Sequence, residues 1–205
     1  MLGVEANESE LPERLTEIVC AMPPLMQVLS VARGLCLPDW LVFSGAVYQP
    51  VLNHLIGRAL DYGIKDYDLG YFDASDLSYE AEDEVIRRVK AAFDEPLTSM
   101  VEVRNQARVH LWFEPKFGEP YKPLLCTAEA LECFASATFA VGVRMEPDDR
   151  LHIVAPFGLA DLFALRLVPN PRRKTVGFAR TSADVQRRWP EVVIDNGHHR
   201  GVQPV

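Results

Sequence analysis

The stretch GIKDYDLGYFD, residues 63–73, most limits what this chain can fold into. Its pattern is that of a strand, in which side chains at i and i+2 share a face. Tyr67, Leu69 and Tyr71 then line one face, while Asp66 and Asp68 stand side by side on the other. Two like charges held that close repel, so either a bound cation offsets them or both sit in water. The fold must therefore contain a sheet with one apolar side and one acidic position.

The rest of the chain supplies the layers around that strand. Residues 10–34 have helical spacing (Leu15, Ile18, Val19, then Leu25, Val28, Leu29), divided at Pro23 and Pro24. Residues 39–45 read as a strand ending in Ser44-Gly45, and a helix begins near Val47, which leaves Pro50 in its first turn. Residues 75–93 read as a helix capped by Ser78, with acidic residues early and basic residues late, as the helix dipole favours. Alternation predicts strands over 99–105 and 107–114, and a hairpin over 138–158 around Pro147-Asp148-Asp149. Short helices are expected over 127–135, 158–170 and 182–192. The predicted class is α/β, an α+β arrangement with a mixed sheet and flanking helices. Residues 1–34 form an N-terminal helical segment packed on the core, 35–190 one catalytic-type domain, and 191–205 a flexible tail.

Composition excludes several classes. The chain has 205 residues and a formal net charge of −8, so it is no general binder of nucleic acid or anionic membrane. No apolar run approaches the roughly 20 residues of a membrane span. Cys20, Cys36, Cys126 and Cys133 lack metal-site spacing and read as reduced thiols of a cytoplasmic protein. The acidic N-terminus does not have the pattern of a signal peptide.

The chemistry concentrates where Ser44-Gly45 opens a helix and Asp66-x-Asp68 follows on the next strand. Glycine lets the backbone approach a ligand closely, and a helix N-terminus offers free N–H groups to phosphate. Two carboxylates on one strand face can hold Mg²⁺ or Mn²⁺, with substrate phosphates completing the shell. Each piece also has a plain structural account: a solvated strand face for the aspartates, a packing turn for Ser44-Gly45.

The order of these pieces resembles the polymerase-β-like nucleotidyltransferase superfamily. SGAVYQPVLNHLIG, KDYDLGYFD, NQARVHLW, TAEALECFASATFAVGVR and APFGLADLFALRLVPNP are more closely similar to a bacterial nucleotidyltransferase-like family, a match covering roughly residues 35–190. The resemblance implies a nucleotidyltransferase fold and a nucleoside monophosphate passed from an NTP to an acceptor it does not name, whether small molecule, protein or RNA. It implies metal-ligand roles for Asp66 and Asp68 and a phosphate-loop role for Ser44 and Gly45. The superfamily adds a third carboxylate, for which Glu102 is the candidate. Arg108 and His110, read on one strand face, are candidates for a phosphate clamp and for a proton relay or base contact. There are departures: many superfamily members have Gly-Ser where this chain has Ser44-Gly45. Tyr48, placed at the nucleotide site, stands where many family members carry arginine, and Pro50 replaces a non-proline residue. The alternative function is a nucleotide-sensing or protein-binding module without turnover, including a toxin–antitoxin component. Three further groups have plainer readings. The acidic run from Asp73 to Glu84 serves the helix dipole, the basic zone Arg166–Arg180 is a solvated loop or an approach for RNA, and His198 and His199 lie in the tail.

Overall fold

The computed structural model describes residues 8–195. Two helices, α1 (Leu11–Cys20) and α2 (Pro23–Gly34), meet at the Pro23-Pro24 break and bury Leu15, Ile18, Val19, Leu25, Val28 and Leu29 completely or nearly so. The chain then enters β1 (Leu41–Phe43), α3 (Gly45–Leu55) and β2 (Tyr67–Tyr71). Next come α4 (Tyr79–Lys90), a short α5 (Leu97–Met100) and β3 (Val101–Asn105), then α6 (Val109–Phe117) and α7 (Ala128–Glu132). The hairpin β4 (Gly142–Met145) and β5 (Leu151–Val154) turns through Pro147-Asp148-Asp149, with Asp149 at φ 65°. α8 (Ala160–Phe163), β6 (Arg166–Leu167), α9 (Gly177–Arg188) and β7 (Val193–Ile194) complete it.

The five main strands form one mixed sheet in the order β3-β2-β1-β4-β5. β2 and β3 run parallel, as the intervening α4 crossover requires; the other pairs are antiparallel. Register fixes the faces. Val42 pairs with Leu69, and Leu69 with Val103; all three join the main core under α1, α2 and α3. Phe43 pairs with Asp68, and Asp68 with Glu102, so these three share the opposite face. That face carries a smaller apolar cluster of Leu41, Phe43, Leu131 and Ala140. Gly70 occurs mid-strand there because a Cβ would sit 2.5 Å from the Phe43 ring.

α4 begins as its sequence directs: the Ser78 side chain accepts a hydrogen bond from the Ala81 N–H, and Arg87, Arg88 and Lys90 close its last turn. Ser78→Ala is expected to cost about 1 kcal/mol by thermal denaturation. Asp73 and Asp76 accept hydrogen bonds from Ser75 and Ser78 and so shape the loop into this helix.

Three expectations are corrected. Residues 107–114 are not a strand: β3 stops at Asn105, whose side chain accepts from the Ala107 N–H, and a 3-10 turn (Gln106–Arg108) leads into α6. The helix expected over 158–170 is only α8, because Leu165 takes φ 51° and Arg166–Leu167 pair with β7. Val193–Ile194, expected in the loose tail, are that partner; His198 and His199 lie outside the described residues. Among the described residues no single helix is long and apolar enough to cross a membrane.

Candidate active site

β1 delivers the chain to Ser44 at φ 64° and ψ −144°, a backbone normally left to glycine. This bears on the reversed Ser-Gly order: Ser44 takes the conformation a glycine would adopt freely. The next residue, Gly45, starts α3, and there a Cβ would lie 2.6 Å from the Gln49 amide nitrogen. The helix thus starts earlier than expected, and Pro50 sits inside it, beyond the first turn.

Asp66, just before β2, and Asp68 within it line one cavity of about 250 Å³ with Ser44, Gly45 and Tyr48. Among the described residues neither aspartate makes an ion pair, although Asp68 is mostly buried. Burial, then the charge of Asp66, pushes the Asp68 carboxyl up to about 6; the Ser44 hydroxyl pulls partly back, and Glu102 adds to the rise. Asp66 is likewise raised, by burial first and then by Glu102. The two aspartates are therefore a site with surplus negative charge, which suits a hard cation.

A cation does face the cavity, from a part of the chain far from the motif. Arg188, at the end of α9, donates to the Gly63 carbonyl at 2.6 Å, to Gln49 Oε1 at 3.1 Å and to Asp184 at 3.2 Å, and lies over the Trp189 ring. Gly63 is needed there twice over: its φ is +80°, and a Cβ would meet the Arg188 guanidinium at 2.2 Å. Trp189 is itself anchored, donating to the buried Asn53 side chain at 2.8 Å. Tyr48 stacks on Phe139 with centroids 3.7 Å apart, and burial raises its hydroxyl pKa.

A sequence profile of the nucleotidyltransferase family matches residues 30–194. The chain belongs to the nucleotidyltransferase family. A solved NMR structure described as revealing a CCA-adding enzyme head domain superimposes with a TM-score of 0.72, covering 95% of this chain and 100% of its own, at 20% identity. That likeness shows the fold. No curated protein matches the chain.

In this nucleotidyltransferase-family chain, Glu102 lies beside Asp68 by register but is exposed, with Arg104 at 3.9 Å. Among the described residues no three acidic, histidine or cysteine side chains converge as a metal cluster. Two oxygen donors fit Mg²⁺ nevertheless, because it commonly takes one or two carboxylates and fills its shell with water and phosphate. Arg108 is elsewhere. It is buried and paired with Glu82, donates to the Leu77 carbonyl at 2.9 Å and lines no cavity beside the aspartates. His110, on α6, is also absent from that cavity, and its buried Nδ1 has no hydrogen-bond partner. The strand reading placed these two on one face; the helical turn after Asn105 removes that face. Lys65 lines the same cavity. Gln49, Gly63 and Arg188 were missed, and no local spacing ties residue 188 to residues 44–68.

Proposed function

We propose that this protein transfers a nucleoside monophosphate from an NTP to an acceptor, with Asp66 and Asp68 holding Mg²⁺ or Mn²⁺. The reading rests on one observation: a pair of carboxylates that makes no ion pair among the described residues, the first turn of α3 and the Arg188 guanidinium line a single cavity. Ser44, Gly45 and the amide end of α3 seat the phosphates, and Arg188 takes the place of the arginine missing at Tyr48. When bound, the metal neutralises phosphate charge and polarises the phosphoryl oxygens. Glu102 flanks the acceptor side of Asp68. Tyr48, stacked and half enclosed, packs the wall behind the phosphates.

The test is pyrophosphate release from NTPs with Mg²⁺ or Mn²⁺ in the presence of candidate hydroxyl acceptors (mononucleotides, RNA, protein), alongside the melting temperature with and without nucleotide. Arg188→Ala is expected to raise the KM for NTP about tenfold, the scale of one lost charge-assisted contact. An unchanged KM would place the triphosphate elsewhere. A second reading, a nucleotide-sensing module without turnover, is favoured by the exposure of Glu102 and its partnership with Arg104. A nucleotide-dependent rise in melting temperature with no pyrophosphate from any NTP and any of these acceptors would select it.

A further inference from the structure

On the other side of Ser44 lies a second, larger cavity of about 770 Å³, open over Phe43 and Arg104. We propose that it is the acceptor site, and that the acceptor is a nucleotide with a free ribose hydroxyl, either a free mononucleotide or the end of a single strand. This rests on the transfer reading above.

Position is the first argument. Phe43 shares its sheet face with Asp68 and Glu102, and Ser44 lines both cavities. In an in-line displacement the attacking and leaving oxygens lie on opposite sides of the phosphorus. With pyrophosphate held at Gly45 and Arg188, the attacker must come from the other side of the phosphorus, and the large cavity, which meets the small one at Ser44 and is lined by Phe43 of the same sheet face, supplies that approach. There the acceptor hydroxyl oxygen bonds to the α-phosphorus. The bond from that phosphorus to the bridging oxygen breaks, its electron pair leaves on pyrophosphate, and the hydroxyl proton passes to a carboxylate of the cleft and on to water.

The lining is the second argument. Trp112, Phe113 and Tyr121 offer flat faces, and Lys116 lies 5.5 Å from the Trp112 ring centre. Arg173 lies 5.0 Å from the ring centre of Phe113, already paired with Glu119. Arg180 lines the cavity, is exposed and makes no ion pair among the described residues. Four cations stand against one carboxylate there, in a chain of net charge −8. Aromatic faces interleaved with cations take a base and its phosphate together. The volume suits one nucleotide.

The experiment measures anisotropy of a 5′-fluorescein hexa-adenylate with a free 3′ end, and the binding of AMP by calorimetry, both in EDTA. Binding is expected without metal and unchanged in the Asp66→Asn, Asp68→Asn double variant. Trp112→Leu is expected to weaken it about tenfold. The exposed Arg180→Glu, which leaves the packing alone, should also weaken it severalfold. Tighter binding of the hexamer than of AMP identifies a strand end; AMP binding alone identifies a mononucleotide. The α,β-methylene analogues of ATP and GTP with Mg²⁺ should leave the probe bound. Competitive displacement by them would mean that the cavity holds the donor's own base and would overturn the assignment. Failure of both probes to bind, while NTPs still release pyrophosphate, would overturn the nucleotide acceptor and leave the transfer reading standing. Binding of the probes with no pyrophosphate from any NTP in their presence would remove the transfer reading, and the acceptor role with it.

Discussion

Asp68→Asn should give a protein that melts higher and transfers almost nothing. Both effects come from the same charge. Burial and the neighbouring Asp66 raise the Asp68 carboxyl from 3.8 to about 6 in the folded state. A folded state that holds its proton more tightly than the unfolded chain loses stability as pH climbs between those two values. The penalty is complete above about pH 6 and absent below about pH 4, where both states are protonated. That difference in proton affinity is worth about 3 kcal/mol, and partial solvent access reduces it to about 2 kcal/mol. For a chain of this length that is a rise of about 4–8 °C at pH 7.5, vanishing at pH 4. Mg²⁺ should narrow the gap by stabilising the wild type, since it relieves the same repulsion. Turnover should fall by about three orders of magnitude, the scale on which removing one group aimed at developing charge is felt. Calorimetry at the two pH values and a pyrophosphate assay test the pair of claims; a variant that melts lower at pH 7.5 would show that the aspartates do not strain the fold.

Arg108→Ala should destabilise the fold strongly, by about 3–5 kcal/mol, because it leaves the Glu82 carboxylate buried without its partner. Glu82 is only 5% exposed and accepts hydrogen bonds from Arg108 and from the Asn105 N–H. Asn105 in turn exchanges hydrogen bonds with the Asp73 backbone. The knot ties α4 and the loop after β2 to the end of β3, and so holds the β2–β3 register that sets Asp68 beside Glu102. Glu82→Leu with Arg108→Leu should recover much of the loss, since no unpaired charge remains. Well below its melting temperature, Arg108→Ala should bind NTP as the wild type does. A tenfold weaker affinity there would restore Arg108 as a phosphate clamp.

The strand at 67–71 was legible because its alternation answers to one buried face, and that alternation also paired Asp66 with Asp68. α4 was legible from its cap and its charge order. Residues 107–114 were not, since Val109, Leu111 and Phe113 fit a strand while Val109, Trp112, Phe113 and Lys116 fit a helix. What decides is Asn105, whose side chain turns the backbone out of the sheet. β6 was hidden for another reason: its partner β7 comes later in the chain, beyond α9, so no local pattern announces it. Family resemblance supplied the carboxylates and the phosphate turn but not Arg188. That residue reaches the site only through tertiary packing around Trp189 and Asn53.

The late position of Arg188 has a consequence for the nascent chain. Every other residue lining the small cavity lies between Ser44 and Asp68. At about 5–20 residues per second, the 120 residues from Asp68 to Arg188 take roughly 6–24 s to synthesise. Through that interval the ribosome carries a carboxylate pair with no guanidinium opposite it. On the proposed reading, phosphate grip is thus the last property acquired in biosynthesis, and a growing chain stays silent toward NTP until α9 has been made.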